Sequence, residues 1–426
     1  MTHGASLADR TGRLLRAGAA AGRRLTLTLA FACGFCVAAG PDWREERWVV
    51  EEFTHVLGGG PEGGPLAQAG GEVYALCGDH EGRLFLASGQ FIDIVTPDGM
   101  RSHLAGTGEP GYRDGPAHQA QFRLGFNAYY GAHNIACGPN GVFVPDGGNR
   151  AVRRIYKRDG VWQVETWAGG GARRTGTGDS AGAKDMRFSG TISLAVSPSG
   201  EVTVADDGGY YRVSADGKSI RYLGPWPQST SRNPDRPPKL NIMMGDADAH
   251  GVVYFVSRTP DFVIRIDPDG TATHLAGRFV EVATRLSIGD GPPREAFFDT
   301  PTSIAVQPDG SAAYVCGGDE YDIRRVPTDG NGTTATLMNN GRWGIASIHP
   351  NRSRGAAVVK PNATGRLRPD GELTDLMVSH LVGRDAQGNL YGAINFWTGM
   401  TQYVEGRGLL GTRLFRLRRE AAGGRS

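Results

Sequence analysis

Cysteine is scarce in this chain: five in 426 residues. Only Cys33 and Cys36 have the Cys-x-x-Cys spacing of a thiolate metal site, and both fall in an N-terminal segment set apart below. Cys77, Cys137 and Cys316 remain, too few and too far apart for a structural cysteine–zinc centre. Long apolar runs are also missing. The longest, Leu25 to Ala39, has about 15 residues, short of the ~20 that span a bilayer. Neither sign of charge dominates, with 46 Lys and Arg against 44 Asp and Glu, so no basic character argues for nucleic acid. The chain also lacks His-Glu-x-x-His, Gly-x-Ser-x-Gly, a phosphate-binding Gly-Lys loop and any spaced Cys/His cluster. No complete catalytic set can be read from it.

The first 39 residues differ from the rest. Five arginines (Arg10, Arg13, Arg16, Arg23 and Arg24) precede the apolar run, and Val37-Ala38-Ala39 supplies small residues for cleavage. This is the pattern of a secretory signal peptide, giving a mature domain of residues 40–426 and a secreted or periplasmic location. A membrane anchor or a lipoprotein is the lesser reading, since Ala30 stands where a lipoprotein box has Leu before Cys33. Removal of the segment takes away five Arg and one Asp and turns a formal charge of +2 into about −2. No stable membrane insertion is then expected, and a monomer is.

Glycine is abundant, 65 residues or about 15%. Its placement is periodic. Short apolar triplets are followed at a constant offset by glycine: Gly78 leads to Gly82, Cys137 to Gly141, Val196 to Gly200, Ala247 to Gly251, Val306 to Gly310 and Arg384 to Gly388. A degenerate seventh unit, Trp343 to Ser347, reaches Asn351 instead. Tight turns such as Pro97-Asp98-Gly99, Asp159-Gly160, Asp216-Gly217, Pro268-Asp269-Gly270, Asp329-Gly330 and Pro369-Asp370-Gly371 recur about every 40 to 60 residues, the period of propeller blades. Short β-type runs joined by tight turns make antiparallel sheets that cannot bury their own faces, so copies must pack on one another. The fold class is therefore all-β: a β-propeller of four-stranded blades, seven by this count and six if the degenerate unit is set aside. A ring must hide its edges. We expect the strand-like segment Trp48 to Leu57 to complete the last blade, whose other strands come from residues 373 to 419.

The elements Leu104-Ala105-Gly106, Asp114-Gly115, Phe122, Asn149 and Arg153-Arg154-Ile155 recur as Leu275-Ala276-Gly277, Asp290-Gly291, Phe298 and Ile323-Arg324-Arg325-Val326. Together they resemble NHL repeats over roughly residues 50 to 419. The resemblance implies a β-propeller and no single activity, because one fold carries many functions. NHL-like propeller lyases hold a metal on channel-facing histidines. Applied to this chain, the positions that begin the innermost strands are Tyr74, His133, Ile192, Met243, Thr302, Trp343 and His380.

Three expectations follow. The first is a binding module that presents its inter-blade loops, on one face of the disc, to a protein, a glycan or a small molecule. The second is a metal-dependent lyase or lactonase whose candidates are His133, His380 and Tyr74, with His133, His380 and Asp246 as ligands of zinc or calcium. Against it stands the plain reading of two satisfied histidines at a polar channel mouth. Asp246, a carboxylate in the middle of an inner strand, needs an ion or hydrogen-bond donors. Asp114, Asp179 and Asp290 recur before the loop phenylalanines, so we expect them to share a turn or capping role. Third, Cys77 and Cys137 lie in neighbouring units and are read as small buried residues, with a bridge between them left open.

Overall fold

The chain divides into two units, Met1–Asp42 and Trp43–Ser426. The structure is a computed structural model, and it describes residues 48–52, 73–124, 134–174, 181–190, 192–227, 240–258, 260–278, 290–298, 300–317, 323–338, 358–359, 378–397 and 409–419, all in the second unit.

Those residues form six blades of four antiparallel strands each; three blades carry a fifth, two-residue strand at the outer edge, and a two-stranded pair lies in the loop between blades 2 and 3. From innermost to outermost strand, blade 1 is Val73–Gly78, Leu84–Ser88, Phe91–Val95 and Arg101–Ala105. Blade 2 is Ala136–Gly138, Gly141–Asp146, Ala151–Arg158 and Val161–Gly169. Blade 3 is Ser193–Val196, Val202–Asp206, Gly209–Val213 and Ser219–Gly224. Blade 4 is Asn241–Ala247, Val253–Arg258, Phe262–Ile266 and Ala272–Ala276. Blade 5 is Ser303–Val306, Ala312–Cys316, Ile323–Pro327 and Ala335–Met338. Blade 6 is Val378–Arg384, Leu390–Trp397 and Leu409–Arg419, completed by Trp48–Glu52 from the other end of the chain.

The innermost strands pack on one another in sequence order, and that of blade 6 packs on both blade 5 and blade 1. The ring therefore closes at six. Six is the count reached from the sequence when the degenerate unit is set aside, and its signature lies in the turn between the first and second strands. That hairpin places a glycine at positive φ in all six blades, from 69° at Gly310 to 126° at Gly141. At Gly141 a Cβ would sit 2.3 Å from the carbonyl oxygen of Ile155, so no other residue fits. Of the degenerate unit the structure describes Val358–Val359, which pair in parallel with Val49 and Val50 on the outer edge of blade 6. Trp343 lies outside the described residues.

Blade closure follows expectation. Trp48–Glu52 runs antiparallel to Leu409–Arg419, with Val50 opposite Leu417. An open ring would leave this strand edge unpaired, and joining the two chain ends in one sheet removes it.

The sheets are buried on both faces because each is sandwiched between neighbours. Leu84–Ser88, Val202–Asp206 and Ala312–Cys316 are buried along their whole length, which explains apolar runs without alternation. The outer strands face solvent on one side, as the mixed pattern of Ser219–Gly224 shows. Phe122, Phe188 and Phe298, from three inter-blade loops, are 0–2% exposed.

Each loop phenylalanine sits beside an arginine-centred staple in blades 2 and 5. Arg153 is buried and donates from Nε to Asp114 (3.1 Å) and from Nη1 to Asp146 (2.8 Å), with its guanidinium 5.2 Å from the Phe122 ring centre. Asp114 also accepts the backbone N–H of Thr166 at 2.9 Å. In blade 5, Arg324 donates to Asp290 at 3.0 Å and lies 5.1 Å from Phe298, and Asp290 accepts the N–H of Thr336 at 2.9 Å. The recurring Asp, Phe and Arg of the sequence are thus one device that ties an inter-blade loop to the blade that follows it. Asp179 lies outside the described residues.

Candidate functional site

The propeller axis is narrow. Its cavity measures about 50 Å³ and is lined from all six innermost strands or the residues beside them. At roughly 10–15 Å³ per water that is room for a few waters, well below the roughly 300–1,000 Å³ of ordinary ligand pockets.

Polar groups and one disulfide stitch the blades together around it. Asp246 projects from the innermost strand of blade 4, one residue past a bulge between Ile242 and Gly245. Its Oδ2 accepts from Arg384 Nε of blade 6 (2.7 Å) and from the Val306 N–H of blade 5 (2.8 Å). Its Oδ1 accepts from the Ala247 N–H at 2.8 Å and Arg384 Nη2 at 3.3 Å. Arg384 also donates to the carbonyl oxygens of Ala247 and Asp385. One carboxylate therefore joins three blades, and every donor it needs comes from the protein.

Beside it, Asn134 Nδ2 donates to the carbonyls of Leu194 (2.5 Å) and Gly245 (2.8 Å), while its Oδ1 accepts the Leu194 N–H (2.8 Å). Asn134 is 4% exposed and joins blades 2, 3 and 4. Cys77 and Cys137 form a disulfide between blades 1 and 2. The sequence had left this bridge open against a reading as unpaired buried residues, and the structure pairs them. The two differ in place within their triplets, yet the stagger between adjacent blades sets their Cα atoms 5.6 Å apart.

The other sequence candidates fare unevenly. Tyr74 is the second residue of blade 1, half-buried at a bulge between Val73 and Ala75, and does not line the axial cavity. His133 lies outside the described residues. His380 is placed by its backbone in the innermost strand of blade 6, and its side chain is outside what is described. Among the described residues, no three His, Cys, Asp or Glu side chains come together in a way that could hold a metal ion.

The inter-blade loops share one face of the disc with the turns between second and third strands. On that face, between blades 2 and 3, a recess of about 390 Å³ opens. Arg150 and Arg187 line it with Phe188, Ser189, Asp206 and Asp207. Asp206 is 3% exposed; its Oδ2 accepts the Ser189 N–H at 2.7 Å and its Oδ1 that of Gly208 at 2.6 Å, which fixes the loop. Trp226 Nε1 donates to the Asp206 carbonyl at 2.8 Å. Arg150 ends the turn after Asp146 in a left-handed conformation, φ 56° and ψ 40°. That backbone costs a non-glycine residue about 1–2 kcal/mol, and it is held by the Arg150 N–H to Gly147 and by the Gly170 N–H to Arg150. Nothing in the sequence singled out Arg150 or Arg187. The one available signal is the pair of inter-blade loops on this face, which brought the region forward but not its residues.

A second recess, of about 230 Å³, lies on the opposite face between the hairpin turns of blades 3 and 4. Arg212 lines it, but its Nη1 is engaged by the carbonyl of Pro268.

Two histidines at one repeat position differ in charge environment. His103 in blade 1 and His274 in blade 4 each precede Leu-Ala-Gly on an outermost strand. Burial by itself lowers His103, but Asp93 (3.4 Å from Nδ1) and the Gly106 carbonyl (2.7 Å from Nε2) outweigh it and hold the imidazole above its ordinary value. His274 faces Ile264 where His103 faces Asp93. Burial holds it below the ordinary value, and Arg294 acts in the same direction.

No protein-family model matches the chain, and no curated protein matches it. Among solved structures it is similar to an auxiliary nutrient binding protein from Bacteroides thetaiotaomicron, at 11% identity and a TM-score of 0.46 over 88% of this chain and 78% of that one. The corresponding protein from Bacteroides ovatus gives 12% identity and a TM-score of 0.47 over the same shares. Virginiamycin B lyase from Staphylococcus aureus gives 13% and 0.42, over 88% of this chain and 99% of that one. At these scores the likeness carries no argument about activity.

Proposed function

We propose that the mature chain is an NHL-type propeller that acts outside the cytoplasm as a monomeric binding module, using the face that bears its inter-blade loops. One observation carries this reading. Among the described residues, the axial cavity measures about 50 Å³ and its carboxylate accepts from Arg384 and two backbone amides, whereas the loop face offers a recess of about 390 Å³. The Cys77–Cys137 bridge supports an extracytoplasmic location, since disulfides persist in oxidising compartments. The arginine-rich, then apolar, segment before Gly40 supports export and cleavage. The partner is a small molecule, a glycan or a protein, and not nucleic acid.

Hydrogen-exchange mapping of residues 40–426 against a panel of sugars, amino acids and organic acids tests this. Protection is expected at 106–124, 181–190 and 207–208. Protection confined to the hairpin turns of the opposite face, or to the axis, would refute it. Retention of one equivalent of metal by the purified protein, lost on His133→Ala, would instead establish the lyase or lactonase reading with His133 and His380 as ligands.

A further inference from the structure

We propose that the recess between blades 2 and 3 is a carboxylate-binding subsite, whose ligand is a small organic acid with a single carboxylate. This deepens the binding reading above and rests on it.

The argument begins with two guanidiniums. Arg150 and Arg187 both line the recess and are both exposed. Among the described residues, neither side chain has a hydrogen-bond or ion-pair partner. Four other arginines, Arg101, Arg153, Arg324 and Arg384, each hold a carboxylate. Arg150 and Arg187 come from different blades and loops, so the fold, not local sequence, puts them on one recess. Planar guanidiniums match a carboxylate through paired N–H donors.

The backbone adds a second observation. In blade 3 the residue just before the third strand, the place Arg150 holds in blade 2, is Gly208. Blade 2 puts an arginine at φ 56° there. A long charged side chain in a left-handed position that glycine would take without strain is accounted for by what the side chain does in the recess.

The remaining lining sets the rest of the ligand. Phe188 supplies an apolar floor, being 1% exposed. Asp207 lies on the same recess and already has an interaction within the protein. Its negative charge disfavours a second carboxylate on the ligand. A recess of about 390 Å³ falls within the roughly 300–1,000 Å³ of small-molecule sites.

The test uses the mature chain and two probes of equal size, D-glucuronate and its neutral twin D-glucose, followed by calorimetry. Glucuronate is expected to bind at least tenfold more tightly than glucose, and an increase in salt is expected to weaken it. Arg187→Gln and Arg150→Gly are each expected to lower glucuronate affinity tenfold or more. Arg150→Gly removes the guanidinium while easing the left-handed turn, so its urea midpoint should match or exceed that of the wild type, which keeps the result interpretable. A linear uronate oligomer forms a further arm: binding of monomer and oligomer alike identifies a free acid, and binding of the oligomer alone identifies the end of an acidic glycan. Equal affinity for glucuronate and glucose, undiminished affinity in Arg150→Gly, or no binding of either acid overturns the subsite. If other probes still protect 106–124 or 207–208, the loop-face reading survives that failure; if none does, both fall.

Discussion

Replacement of Asp246 by Ala separates the two roles a carboxylate at a propeller axis can have. Its side chain is 23% exposed and that of Arg384 is 18% exposed, so the pair is closer to buried than to surface. An exposed pair contributes about 0–1 kcal/mol. Removal of one partner from a buried pair costs about 3–5 kcal/mol, because the other charge is left without compensation. With about a fifth of each side chain still reaching solvent, Asp246→Ala should cost about 3 kcal/mol. The change also leaves the Val306 N–H without its acceptor. Arg384→Ala should cost a similar amount. The double variant should cost only about 4 kcal/mol, which corresponds to a coupling of about 2 kcal/mol for residues 138 apart in sequence. Urea midpoints of the four proteins give this cycle, and a metal chelator should leave the wild-type midpoint where it is. Additive effects, with a coupling under about 0.5 kcal/mol, would refute the clamp. So would a chelator that removes from the wild type the stability that Asp246→Ala removes, because the carboxylate would then be holding an ion.

Joint replacement of Cys77 and Cys137 by Ala should cost about 4 kcal/mol by the chain-entropy estimate for a loop of 60 residues, read as a lower urea midpoint that reductant also produces in the wild type. A midpoint unaffected by reductant would show that the bridge contributes nothing. In an NMR pH titration, the His103 imidazole should titrate above, and that of His274 below, the ordinary value near 6.5. Because its folded value is raised, His103 stabilises fully below pH 6.5 and loses that contribution as pH rises through the raised value. His274, depressed, keeps its contribution above pH 6.5 and loses it as pH falls toward its lowered value; the same direction of shift for both would contradict the contrast between Asp93 and Ile264. Asp290→Ala should cost about 2–3 kcal/mol because Arg324 is 2% exposed at its side chain, and Asp114→Ala should cost less because Asp114 is 46% exposed.

The blade hairpins were legible in sequence because each depends on local chemistry. A glycine that must take positive φ four residues after an apolar triplet is a requirement of the turn itself, and it marked six blades at six places. The degenerate unit, Trp343 to Ser347, keeps the apolar pattern but reaches Asn351 where the six described turns have glycine. The closing strand Trp48–Glu52 was legible because a ring cannot leave an edge open. The Asp, Phe and Arg repeats were visible as a pattern, although only the fold revealed them as one staple around Arg153 and Arg324.

What the amino-acid order determined by itself, then, was everything set within one blade: strand spacing, turn residues and the pattern of burial. The tertiary structure decided what lies between blades. It joined Cys77 to Cys137, brought Asp246 to Arg384 and Val306, and set Arg150 beside Arg187 on one recess. The physical reason is distance along the chain. Residues 60 or 138 apart meet only after the ring closes, and closure depends on blade count, stagger and packing, which no short stretch of sequence encodes.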